Sequence, residues 1–115
     1  MEIYNCEVCC EKLSYVYSIG VIVNYKLTGK VCYKVVNPEI YEIQSKSISM
    51  MFPRVVEATI GKYLQTLQGT NTDPIKVIDK KQEISEYVKN NSERLNKNFG
   101  IEVTDLEIDS FELIS

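Results

Sequence analysis

The sequence predicts an α+β fold: a mostly antiparallel sheet of about four strands with two amphipathic helices packed on it, in the order β-β-β-α-α-β. Three observations predict it. The first third of the chain is rich in Val, Ile, Tyr and Cys, the residue types of half-buried strands. From Phe52 the apolar residues recur at three and four instead of two, as on one face of a helix. After Gly100 the alternating pattern returns for a final strand.

The strands read as "YNCEVCC", "LSYVYSIGVIVNY" and "GKVCYKVV", separated by breaks at Glu11-Lys12 and Thr28-Gly29. "KLTGK" is the expected hairpin turn, with Gly29 supplying a positive φ. Val31, Tyr33 and Val35 share one face of the third run. Asn37-Pro38 ends it, since Pro38 cannot donate to a ladder. The first helix carries Phe52, Val55, Val56, Thr59, Ile60, Tyr63, Leu64 and Leu67 as its stripe. Ser49 is its expected N-cap, which places Pro53 in the first turn, where a missing N–H breaks no bond. "QGTNTDP" is the strongest loop signal. A second helix is expected over about Asp79 to Asn98, buried through Ile84, Tyr87, Val88, Leu95 and Phe99. Its stripe thins at Asn90, Asn91 and Ser92. Gly100 fits the left-handed position that closes a helix. In the last strand Ile101 and Val103 sit on odd positions but Leu106 and Ile108 on even ones. That slip predicts a β-bulge near Thr104–Asp105, in a strand beside Val31–Val36.

A chain of 115 residues, 44% apolar and 25% charged, with a formal net charge of −3, reads as one ordinary globular domain. The charge gives no electrostatic footprint for nucleic acid. No apolar run approaches the ~18 residues of a spanning helix, and "MEIYNCEVCC" lacks the apolar core of a signal peptide. The expected location is the cytoplasm.

"CEVCC" holds a C-x-x-C, and Cys6, Cys9 and Cys10 are the candidate metal or redox residues. A tetrahedral zinc site wants a second ligand pair, and the chain has no His. The competing reading is of reduced cysteines acting as small hydrophobes in a sheet. Without His, no Ser-His or Cys-His pair can be assembled. Glu102, Asp105, Glu107 and Asp109 form an acidic run that reads as a solvated face rather than a metal site. The glycines are isolated and cradle no phosphate. Tyr15 and Tyr17 either pack in the sheet or face a partner. No catalytic residue and no cofactor is expected.

Three stretches together resemble the SPFH domain, also called Band 7, of stomatins, prohibitins and flotillins. "GKVCYKVVNPEIYE" is similar to the family's central strand, with Tyr33, Val35, Asn37 and Pro38 on its pattern and Asn37 where Asp is commoner. "RVVEATIGKYLQTL" is similar to its first helix, with Ile60-Gly61 at the family's Ile-Gly position. "EISEYVKNNSERLNKNFGIEVTDLEIDSFEL" resembles its second helix and final strand, through Leu95, Gly100, Ile101, Val103, Leu106 and Ile108. The resemblance spans about residues 18 to 113. The segment "QTLQGTNTDPIKVIDKK" is longer than in typical stomatins, which points to the soluble bacterial and viral branch, often fused to a zinc-ribbon tail.

The resemblance implies a non-catalytic scaffold that self-associates and organises membrane-associated proteins, with peripheral membrane contact. It also implies that the chain is the head of a longer protein whose coiled coil or tail drives assembly. Nucleic acid is not an expected partner. The alternative is an adaptor module that binds a protein without touching a membrane. The negative charge favours that alternative, since anionic headgroups repel it.

Overall fold

The computed structural model describes residues 2–114. The fold is α+β: a three-stranded antiparallel sheet with helices between its second and third strands, packed on it. The order along the chain is β1 (Tyr4–Ser18), β2 (Val21–Val35), α1 (Pro38–Gln44), α2 (Ile48–Thr66), α3 (Pro74–Val77), α4 (Lys81–Asn90), α5 (Glu93–Phe99) and β3 (Ile101–Leu113). Short 3-10 turns at Ser45–Ser47 and Ile78–Lys80 lead into α2 and α4. In the sheet β2 is central, with β1 and β3 on either side.

The sheet has three strands rather than about four because the hairpin turn lies elsewhere than expected. β1 and β2 are joined at Ile19-Gly20, where Gly20 has φ +78°. "KLTGK" runs straight through the middle of β2. Gly29 serves close approach instead: a Cβ there would run into the Glu107 carbonyl oxygen, with Glu107 C and Ile108 Cα both at 3.2 Å. The break expected at Glu11-Lys12 is a register shift between Cys10 and Leu13 within one strand.

Bulges keep the apolar residues on one face. In β1 the buried positions pass from Val8 and Cys10 to Leu13 and Tyr15 across that shift. In β3 they pass from Ile101 and Val103 to Leu106, because Thr104 is the extra residue between the Tyr33↔Val103 and Cys32↔Asp105 pairs. The expected bulge near Thr104–Asp105, in a strand beside Val31–Val36, is therefore present. A second bulge at Asp109 brings Phe111 inward opposite Leu27. Each extra residue flips the phase once, since side chains alternate with period two.

The helices cover that apolar face. Phe52, Val56, Ile60, Tyr63 and Leu64 of α2, Ile84 and Val88 of α4, and Leu95 and Phe99 of α5 complete one core with it. Each large side chain buried so contributes roughly 1.5–3 kcal/mol.

Two helical expectations are corrected, and one segment without an expected element proves helical. Residues 38–47 form α1 and a 3-10 turn. Asn37 caps α1 by accepting from Ile40 N at 3.3 Å, and Pro38 follows at the start of the helix, where its fixed φ suits helix. Ser49 is not an N-cap. The chain enters α2 from the preceding 3-10 turn at Ile48, so Pro53 falls in the second turn, and the Ser49 carbonyl loses its helical donor. The second helix is not continuous. It divides at Asn91-Ser92 into α4 and α5, where Ser92 is buried and its hydroxyl donates to the Val88 carbonyl. That bond competes with helix continuation.

Candidate interaction surface

Strand alternation separates the cysteines. Cys6 and Cys10 point toward the helices, whereas Cys9 points to the opposite face. Cys10 is fully buried, and burial pushes its thiol pKa up to about 12. Burial also raises Cys6. Cys9 is exposed and donates to Glu11 Oε1 at 3.3 Å, and that bond raises its pKa too. All three shifts disfavour the reactive thiolate. Among the described residues no group of three or more Cys, Asp or Glu side chains is placed to hold a metal ion.

The residues that carry the family resemblance meet at structural junctions. Tyr33 pairs with Val103 and Val35 with Ile101. At the corner beyond them the Gly100 carbonyl accepts from both Val36 N and Asn37 N at 2.9 Å. Gly100 has φ +66° and closes α5. Ile60 and Leu95 are core, Gly61 sits on the half-buried side of α2, and Leu106 and Ile108 continue the apolar row of β3. They build the fold and do not converge on a pocket. Tyr15 belongs to the core: its hydroxyl donates to the Thr72 carbonyl at 2.9 Å. Tyr17 is half-buried beside it, with ring centroids 6.5 Å apart.

What remains available is surface, and it has three parts. The sheet face away from the helices is a charged ladder. Lys26, Lys30 and Lys34 run along β2, opposite Glu112, Glu107 and Glu102 of β3, and Glu7 faces Lys30 from β1. Lys34 bonds Glu102 at 2.8 Å and Lys26 lies 3.8 Å from Glu11. Glu102 and Glu107 of the acidic run therefore face lysines across the ladder, whereas Asp105 lies opposite Cys32 and Asp109 is the bulge residue. Such exposed pairs are worth about 0–1 kcal/mol each but set which partners fit.

The second part is the hairpin tip. Ile19, Val21 and Ile22 are 103%, 43% and 59% exposed. β3 follows β2 only as far as the Tyr25↔Leu113 pair and the Ile114 N bond to the Asn24 carbonyl. The tip thus extends past the third strand.

The third part is the pair of sheet edges, which differ. On β3, Asn96 Oδ1 accepts from Val103 N at 2.9 Å, Ser85 Oγ donates to the Leu106 carbonyl at 2.6 Å, and Asp105 Oδ1 accepts from Leu106 N at 2.8 Å. Side chains thereby satisfy backbone groups that the ladder leaves over. On β1 no comparable side-chain plug covers the described outer edge; the nearest is a long Cys6 Sγ contact to the Glu7 carbonyl at 3.7 Å. A row of unpaired N–H and C=O groups on a long strand is a template for another strand.

Neither tip nor edge is visible in the alternation pattern. The tip hides because "SIGVIV" reads as continuous strand, and the Ser18-Ile19-Gly20 glycine is its one signal. No helix among the described residues is long and apolar enough to cross a membrane. No protein-family model and no curated protein matches this chain.

Proposed function

We propose that the protein is a non-catalytic, SPFH-type scaffold domain that self-associates and organises membrane-associated assemblies. The observation that carries the reading is the asymmetry of the edges: β3 is plugged by Asn96, Ser85 and Asp105, whereas among the described residues no side chain bonds the outer edge of β1 beyond the long Cys6 Sγ contact. Pairing of β1 with β1 of a second copy satisfies both rows of backbone groups in one two-fold, self-complementary contact. The exposed Ile19, Val21 and Ile22 support the membrane side of the reading, because aliphatic side chains at a projecting tip gain free energy on leaving water.

Sedimentation across a wide concentration range, from micromolar to millimolar, tests the association. Proline is placed at Asn5 and, separately, at Cys6, since successive N–H groups of an edge strand point alternately inward and outward. The variant that keeps its circular dichroism is expected to lose self-association. A wild-type protein that stays monomeric throughout sinks the reading. Flotation with liposomes tests the membrane half: Ile19→Asp with Ile22→Asp is expected to abolish binding. The charged ladder favours a second reading, an adaptor that docks a protein on the open sheet face. It predicts that binding survives both sets of changes and fails when Lys30 and Lys34 become Glu.

A further inference from the structure

We propose that the groove between α2 and α5 is a binding site for a phosphate-bearing anion, a role separate from self-association through β1. Arg54, Ala58 and Lys62 stand four residues apart and line one face of α2. Facing them across a cavity of about 500 Å³ are Asn90, Asn91, Glu93 and Arg94. The far wall lies where the helical run divides at Asn91-Ser92, so that the end of α4 and the start of α5 line the cavity together. The small side chain of Ala58 leaves the space between Arg54 and Lys62 open.

The charge of this groove opposes that of the chain. The net charge is −3, yet three of the four charged side chains lining the groove are cations. Lys26, Lys34 and Lys80 reach carboxylates at 3.8, 2.8 and 3.5 Å. Among the described residues Arg54, Lys62 and Arg94 have no such ion pair. Cations held around a concavity by helix backbones and left unneutralised focus a field on an incoming anion. Guanidinium forks on both walls match the several oxygens of a phosphate better than the two of a carboxylate. The Asn90 side chain adds a neutral donor, while Glu93 places one carboxylate at the rim and disfavours a ligand that fills the whole groove with charge.

The phosphate can belong to a free ester or to a lipid headgroup. Calorimetric titration with inorganic pyrophosphate probes the first. Flotation with phosphatidylcholine vesicles, with and without a phosphoinositide, probes the second. Binding in either arm is expected to weaken about tenfold or more in Arg54→Gln with Arg94→Gln, and to fall with added salt. Lys26→Gln, a cation outside the groove, is expected to leave it unchanged. Ala58→Leu fills the groove without removing a charge and is expected to weaken binding as well. Amide shifts on titration are expected at Arg54–Lys62 and Asn90–Arg94. The proposal is overturned if neither probe binds, if the double variant binds as wild type does, or if the shifts cluster elsewhere. A protein that binds pyrophosphate but stays monomeric keeps this site and loses the scaffold, so the two failures are distinguishable.

Discussion

Tyr25 shows how a single side chain ties the sheet to the segment between the helices. Its ring is fully buried 5.1 Å from Phe111, and its hydroxyl donates to the Pro74 carbonyl at 2.6 Å. Burial, with smaller contributions from Tyr15 and Asp73, raises its pKa from 10.0 to about 12. Burial raises Tyr33 and Tyr63 likewise. A raised pKa means the folded protein holds the phenol proton more tightly than the unfolded chain does. The stabilisation is complete below pH 10 and is lost as pH climbs through about 12. Urea denaturation at successive pH values is expected to show that decline, and Tyr25→Phe is expected to flatten part of it. The same variant is expected to lose about 0.5–1.5 kcal/mol at neutral pH with the hydrogen bond. Glu83 works at the other end of the scale. The Tyr63 hydroxyl donates to it at 2.7 Å, and that bond, with Lys80, lowers its pKa. Its contribution is present above the ordinary carboxylate range and is lost as pH falls through the lowered value. Gly29 has a role that its sequence context hides. It looks like a turn glycine, but it lies where β3 bulges at Asp109 and crosses its Cα. Gly29→Val is expected to cost roughly 1–3 kcal/mol in chemical denaturation, because the obstacle is backbone that cannot rotate away.

At the scale of elements, the legible features were those that leave a mark on periodicity. The bulge at Thr104 was legible because one extra residue moves every later apolar side chain to the other parity. The same mark stands at Glu11-Lys12, between Cys10 and Leu13, where it reads equally well as a gap between two strands. Read as a gap, it predicts one strand more than the sheet has. The long stripe of α2 was legible, and α1 was not, since α1 buries no side chain fully and carries no stripe. The division of α4 from α5 was only half legible. Asn90, Asn91 and Ser92 thin the stripe, but the bond from Ser92 to Val88 that stops α4 is local chemistry with no period. The groove built on that division was invisible for the same reason. The Gly100 corner was legible as a helix stop. Its second duty, lying against the strand-to-helix exit at Asn37, was not. Gly100→Ala meets both a positive φ and a Cβ only 2.5 Å from the Asn37 carbonyl oxygen and 3.0 Å from Ile40 Cβ. The expected loss is about 1–3 kcal/mol, measured by urea denaturation, with the amide protection of Val36 and Asn37 falling first.

The whole molecule is a rod of 48 × 21 × 21 Å with the sheet as its spine. Its stability is graded along and across that spine. From Tyr25 to Tyr33, β2 is paired on both sides and covered by the core, so its amides there open only with the whole fold. The tip around Ile19-Gly20 is paired on one side, has exposed aliphatic side chains, and extends past β3. It is expected to exchange its amide hydrogens by local opening, much faster than β2. The edges make the sharper prediction. On β3, Val103 N and Leu106 N already donate to side chains, so their exchange is independent of protein concentration. On β1 the proposed pairing would exchange water at the outward amides for a second strand. Raising the concentration is expected to slow every other amide of β1 and to leave β3 unchanged. Slowing of both edges together points to association through the helices or the tip, and slowing of neither removes β1 pairing as the means of assembly.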